Sequence, residues 1–339
     1  MGVVVVTDHV FANLDQEREI LSAAGHELRF EGNARDPDEV RSLVASADGV
    51  LNCYAPMPAA VIRSMRDCRV IARYGIGLDT IDVPAATSRR IVVTNVPDYC
   101  IDEVSDHALA LLLALGRGVV RAAASVRDRE WDPRVVRPLH RLRGRTLGLV
   151  GFGRIARRLA EKARSIGFRI LATDPYVPPE AIETLAVQPT DLDSLLEASH
   201  VVSLHLPLTE ETRHLIGEPQ LARMRPGALL LNTSRGPLVD LRAVSAALER
   251  GHLGGVGLDV FDPEPPKAEE SLLSRDDVIV TPHVGFYSEE AMAELQRKAA
   301  EQVVAALAGE TPRYAVNAPA TRADRVEPGP EPSPPSPSR

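Results

Sequence analysis

Apolar residues along this 339-residue chain fall into short β-branched runs separated by stretches of helical spacing. Near the N-terminus, Val3–Val6 and residues 49–51, 70–71 and 91–93 read as strands. Between them, residues 15–24 carry helical spacing and stop at Gly25. Asp36-Pro37 opens a helix through Ala47, and residues 59–65 and 84–88 supply two more. Strand alternating with helix predicts a small α/β unit on a parallel sheet. A long helical stretch follows, from Ile101 to about Arg129; it is apolar on most faces across residues 108–115, which predicts burial. A second α/β unit starts at Thr146, with strands at 146–150, 169–173, 201–204, 228–232, 255–259 and 278–280. Helices at 154–165, 191–198, 218–222 and 240–250 lie between them, the pattern of a doubly wound sheet. An amphipathic helix from Glu289 to about Leu307 ends at Gly309. Residues 318–339 are proline-rich, lack apolar anchors and read as a disordered tail.

Composition narrows the function. A net charge of −8 and a pI near 5.7 argue against nucleic acid or an anionic membrane as a general partner. Cys53, Cys68 and Cys100 are too few and too scattered for a disulfide framework or a zinc site, so no metal is expected. The N-terminal apolar run is too short for a signal peptide, and the run at 108–115 is too short to span a bilayer. A cytoplasmic protein is the expectation. The basic run His140-Arg-Leu-Arg-Gly-Arg145 reads as a solvated loop.

One stretch carries a chemical signature. Thr146-Leu-Gly-Leu-Val-Gly151-Phe-Gly153-Arg-Ile-Ala156 is a strand leading into G-x-G-x-x-A, followed by a helix, a second strand and Asp174. Gly151 permits the tight turn, Gly153 lets the backbone approach a pyrophosphate, and Ala156 lets the helix pack on the strand. The helix N-terminus favours phosphate, and Asp174 would accept hydrogen bonds from a ribose diol. A carboxylate there repels a 2′-phosphate. Pro175-Tyr-Val-Pro-Pro179 supplies no arginine to bind one, so NAD is expected over NADP.

Three charged residues follow the C-terminal ends of later strands, where α/β sheets bind ligands. Arg235 lies in Asn232-Thr-Ser-Arg-Gly236, Glu264 in Asp259-Val-Phe-Asp-Pro-Glu-Pro265, and His283 in Thr281-Pro-His-Val-Gly285. A histidine exchanges the oxygen's proton during hydride transfer, a carboxylate supports the imidazolium, and an arginine fork holds a substrate carboxylate. These are the parts that a 2-hydroxy acid dehydrogenase requires.

The chain resembles the D-isomer-specific 2-hydroxyacid dehydrogenases from about Val3 to Asn317. The resemblance rests on Tyr74-Gly-Ile-Gly-Leu-Asp-Thr-Ile-Asp82, Thr94-Asn-Val-Pro97, the Gly151 turn, His205-Leu-Pro-Leu-Thr209, Arg225-Pro-Gly-Ala-Leu-Leu-Leu-Asn-Thr-Ser-Arg-Gly236, the Glu264 segment and Thr281-Pro-His283. It implies two doubly wound α/β domains. One is a flavodoxin-like substrate domain of residues 1–100 plus 289–317; the other is a Rossmann NAD-binding domain of residues 101–288.

By position, the resemblance makes Arg235, Glu264 and His283 catalytic. Cofactor contacts would fall at Gly151, Gly153, Arg154, Ile155, Asp174, Leu206, Thr212, Thr233, Asp259, His283 and Gly285. Substrate contacts would fall at Arg73, Gly75, Ile76, Gly77 and Arg235. A small 2-hydroxy or 2-oxo acid and a homodimer are the implied partners. Arg73 and the segment from Phe286 to Ala300 resemble the C-terminal-binding-protein corepressor branch, so an NAD(H)-responsive scaffold is an alternative. A dehydrogenase of phosphite or a phosphonate is another. His205 is expected to shape the cofactor pocket, and His107, within Ser105-Asp-His-Ala108, to serve helix packing or lie exposed at the surface.

Overall fold

The computed structural model describes residues 1–268 and 270–317. The expected tail at 318–339 lies outside the described residues. The chain divides into two compact units, Met1–Tyr99 with the segment from Met292 onward, and Cys100–Ala291.

The first unit runs β1 (Val3–Val6), α1 (Asp15–Ala23), β2 (Glu27–Arg29), α2 (Pro37–Val44), β3 (Gly49–Asn52), α3 (Ala59–Ser64), β4 (Val70–Arg73), α4 (Val83–Ser88) and β5 (Val92–Thr94). Its strands pair in parallel in the order β2-β1-β3-β4-β5, the flavodoxin-like order. Every residue of β3 and β4 is buried, as a sheet covered on both faces requires. The Asp36 side chain accepts from Asp38 N–H, with Pro37 in the first turn, so the expected helix start is a genuine N-cap. β2 escaped the sequence reading because only Leu28 of Glu-Leu-Arg is buried, leaving no alternation to detect at this edge.

The second unit opens with α5 (Ile101–Arg117) and α6 (Val119–Arg127). It continues through β6 (Thr146–Val150), α7 (Arg154–Ser165), β7 (Arg169–Thr173), α8 (Pro179–Glu183), β8 (Gln188–Pro189), α9 (Leu192–Ala198), β9 (Val201–Leu204), α10 (Glu218–Arg223), β10 (Ala228–Asn232), α11 (Leu241–Glu249), β11 (Leu253–Leu258) and β12 (Val278–Val280). The order β12-β11-β10-β9-β6-β7-β8 reverses direction at β6, which places the Gly151 turn at the switch point. The sheet has one strand more than expected, the two-residue edge strand β8.

One apolar cluster, including Val202, Leu230 and Val256, fills one face of the sheet. Another joins Ala108, Leu111 and Leu112 of α5 to Leu147, Leu149 and Ala156 on the other face. The single stretch expected from Ile101 to about Arg129 is corrected: it breaks at left-handed Gly118 into two helices bent by 63°. No residue of α6 is buried. α12 (Glu289–Leu307) crosses the division between the units. Among the described residues, no single helix is long and apolar enough to cross a membrane.

Candidate active site

The Gly151 turn is built by steric necessity. Gly151 has φ +86°, and a Cβ there would lie 2.5 Å from the His205 carbonyl oxygen at the end of β9. Phe152 N–H donates to Asp174 Oδ2 (2.8 Å) and Tyr176 N–H to Asp174 Oδ1 (2.9 Å), which ties the turn to the end of β7. Ala156, in the first turn of α7, is fully buried. At Gly153, by contrast, a Cβ would meet nothing within 4 Å, and no side chain caps α7. The first turn of α7 therefore keeps an open cradle, flanked by exposed Arg154 and half-buried Ile155.

A groove of about 630 Å³ opens beside Asp174, lined among others by Pro175, Tyr176, Ile182 and Thr190. Beyond β10, the buried Thr233 Oγ1 has no protein partner. Leu206 is half-buried after β9, and Thr212 Oγ1 donates to the Pro207 carbonyl (2.8 Å), closing the same loop. An open helix end, a flanking carboxylate and an orphaned hydroxyl at a strand end fit a dinucleotide.

The three charged residues sit on loops after β10, β11 and β12. His283 Nδ1 lies 2.8 Å from Glu264 Oε2. Burial pushes the Glu264 carboxyl up, but bonds from His283 and the Phe261 N–H (2.9 Å), with the charges of His283 and Arg235, outweigh it. The carboxyl is held below its ordinary value. An ionised carboxylate only accepts, so Nδ1 carries the proton toward Glu264. Arg235 is half-buried; its Nη1 donates to the Ser234 carbonyl (2.7 Å), and its own carbonyl accepts from Asn232 Nδ2 (2.7 Å). His205 ends β9 with Nε2 2.8 Å from Ser203 Oγ, and burial pushes its imidazole down to about 4.

Asp259 is almost fully buried, and three consecutive backbone N–H groups converge on it. His283 N–H donates to its carbonyl (2.8 Å), Val284 N–H to Oδ1 (2.9 Å) and Gly285 N–H to Oδ2 (2.8 Å). Thr281 and His107 reach the same carboxylate, an arrangement that the sequence reading missed. The available signal was position: His107 lies four residues before buried Leu111 and three after buried Val104, on the inward face of α5.

In the first unit, Arg73 ends β4 nearly buried, its guanidinium 5.4 Å from the centre of the Tyr54 ring and Nη1 donating to the Tyr74 carbonyl. The Gly75 carbonyl accepts from Val96 N–H (2.9 Å), and the Ile76 carbonyl from Asn95 Nδ2 (2.7 Å), which shapes the turn through Gly77. Tyr74 is anchored by a buried carboxylate not singled out from sequence: its hydroxyl donates to Glu17 Oε1 (2.8 Å). Cys53, Cys68 and Cys100 are buried free thiols, and burial pushes Cys53 and Cys68 up to about 12.

Comparison with known proteins identifies the family. The family model described as "D-isomer specific 2-hydroxyacid dehydrogenase, NAD binding domain" matches residues 109–285. A glyoxylate reductase of Thermococcus litoralis is 43% identical over 255 residues, 74% of this chain and 77% of that protein. A hydroxypyruvate reductase of Thermotoga maritima is 37% identical over 300 residues, 87% of this chain and 95% of its own. The crystal structure of D-lactate dehydrogenase from Aquifex aeolicus complexed with NAD and lactic acid aligns with TM-score 0.80 and 27% identity, covering 91% of this chain and 96% of that one. These relatives are reductases and dehydrogenases, which corrects the expected kinship with the corepressor branch. This chain belongs to the D-isomer-specific 2-hydroxyacid dehydrogenase family, NAD(P)-dependent oxidoreductases of small 2-hydroxy and 2-oxo acids.

Proposed function

We propose that this protein is an NAD-dependent reductase of a small 2-oxo acid of the glyoxylate or hydroxypyruvate type, with Arg235, Glu264 and His283 as its catalytic residues. The observation that carries the reading is the 2.8 Å pair between His283 Nδ1 and Glu264 Oε2, within the field of Arg235, on loops at the carboxyl ends of adjacent strands. The bound nicotinamide supplies or takes the hydride. His283 Nε2 delivers the proton to the C2 oxygen during reduction and takes it back in the reverse direction. Glu264 fixes the ring and stabilises the imidazolium. Arg235 holds the substrate carboxylate through its fork.

Arg73, Gly75, Ile76 and Gly77 are assigned to the substrate by the family resemblance. NAD is assigned over NADP because the Asp174 carboxylate, as the proposed partner of the ribose diol, would repel a 2′-phosphate. A homodimer follows from the same resemblance; exposed Val119, Val120 and Val126 on α6, and Trp131 beyond it, offer an apolar face.

Following NADH oxidation with glyoxylate, hydroxypyruvate, pyruvate and a phosphonate analogue tests the substrate class. Turnover is expected with the short 2-oxo acids. His283→Ala should lower kcat by roughly 10²–10⁴-fold while sparing NADH binding. Near-wild-type turnover in that variant would overturn the mechanism.

A further inference from the structure

We infer that His107, on α5, is a positioning residue for the reaction, acting through Thr281 and Asp259 to hold the turn that presents His283. The inference rests on the catalytic reading of His283. That residue has φ +52°, a left-handed conformation that a side-chain-bearing residue keeps only where its surroundings hold it. Asp259 is the holder, collecting the N–H groups of His283, Val284 and Gly285 within 2.9 Å.

Asp259 is itself held by Thr281 and His107. Its carboxylate is ionised: burial pushes it up, but the bonds from His107, Thr281, Val284 and Gly285 hold it below its ordinary value. It can therefore only accept. Thr281 Oγ1 has one proton and lies 2.6 Å from Asp259 Oδ1, so that proton is committed to Asp259. His107 Nε2 is 2.8 Å from Thr281 Oγ1 and 3.3 Å from Asp259 Oδ1. With the hydroxyl proton already given, Nε2 must be the donor. His107 thus supplies an N–H to both partners and orients the carboxylate that organises the His283 turn. This chain runs outside the Glu264 contact. Glu264 sets the ring through Nδ1, whereas His107, Thr281 and Asp259 set the backbone that carries the ring.

The test uses His107→Phe, His107→Gln and Thr281→Val in the full chain, with His283→Ala in parallel. His107→Phe and Thr281→Val should each lower kcat by roughly 10- to 100-fold, the scale of a small misplacement of a reacting group. The solvent deuterium isotope effect on kcat should rise as proton delivery slows. Combining the two substitutions should cost little more than the larger single loss, because both cut one linkage. His107→Gln, which keeps an N–H near the Nε2 position, should restore most of kcat. In the cofactor-free protein, the His283 ring signal in an NMR spectrum of imidazole carbons should move in His107→Phe and stay in His107→Gln.

Wild-type kcat and isotope effect in His107→Phe and Thr281→Val, with His283→Ala inactive, would overturn the positioning role alone. An active His283→Ala would overturn the catalytic reading and this inference with it. Should His107→Phe fail to fold, Thr281→Val decides the matter by the same measurements.

Discussion

The Asp174 carboxylate accepts from the N–H groups of Phe152 and Tyr176, at 2.8 and 2.9 Å, so one side chain both closes the glycine turn and flanks the position proposed for the ribose. Removing it mixes two effects, loss of the turn's acceptor and loss of negative charge. Asp174→Asn separates them, since its amide oxygen still accepts one backbone N–H while the charge is gone. In Asp174→Asn and Asp174→Ala alike, the NAD-to-NADP ratio of kcat/KM should fall by about tenfold or more as like-charge repulsion disappears. Thermal stability should fall in both, and further in the alanine variant, which loses both acceptors where asparagine keeps one. Cofactor kinetics and melting curves measured side by side check both halves, and an unchanged ratio counts against a role for Asp174 in cofactor choice. His107 makes the complementary point. In sequence it is one polar residue on a helix; in the structure its single N–H faces two oxygens.

Among the elements, the break between α5 and α6 shows how one backbone position overrides helical propensity. Residues 101–129 are rich in Leu and Ala, and nothing in their spacing marks an interruption except two glycines, Gly116 and, at the break itself, Gly118. Gly118 has φ +61°, and a Cβ there would lie 2.9 Å from Val136. The first helix buries Ala108, Leu111 and Leu112 against the sheet, whereas the second buries nothing, so packing rather than propensity decides where the helix turns. Gly118→Ala should destabilise the protein by about 1–2 kcal/mol, the cost of a side chain in the left-handed region. The predicted signature is a lower unfolding midpoint, and an unchanged midpoint would contradict a left-handed constraint at this position.

For the whole molecule, three histidines favour the neutral form. Burial lowers His26, with the N-terminal charge and Arg69 adding to it. Burial also lowers His200, helped by Arg145, Arg225 and Arg169, and takes His205 down to about 4. In the unfolded chain such imidazoles titrate near 6.5. Between these values the unfolded state binds protons that the folded state refuses, so stability present above pH 6.5 is lost as pH falls toward 4. Relief of net negative charge would instead favour the fold as pH approaches 5.7, so the two effects differ in sign. Melting temperature measured across this window should fall on acidification, and His205→Asn should flatten the slope. A melting temperature that rises toward pH 5 would contradict the histidine account.

Most strands and helices were legible because their periodicity is local: a buried parallel strand is apolar over nearly its whole length, as β3, β4 and β6 are but for Asn52, Arg73 and Thr146 at their ends. The short edge strands β2 and β8 were not, because they bury too little to leave a pattern. The glycine turn, Asp174, Arg235, Glu264 and His283 could be picked out because each stands at a fixed offset from a strand end. The sequence by itself thus determined the family, the class of chemistry and the residues to suspect. Tertiary structure alone decided that Glu264 faces His283 Nδ1, that Asp259 gathers three consecutive N–H groups, and that His107 reaches Thr281 across 174 positions of chain. The physical reason is range. Propensity and periodicity act over a few residues, whereas hydrogen-bond partners are chosen by the packing of elements far apart in the chain.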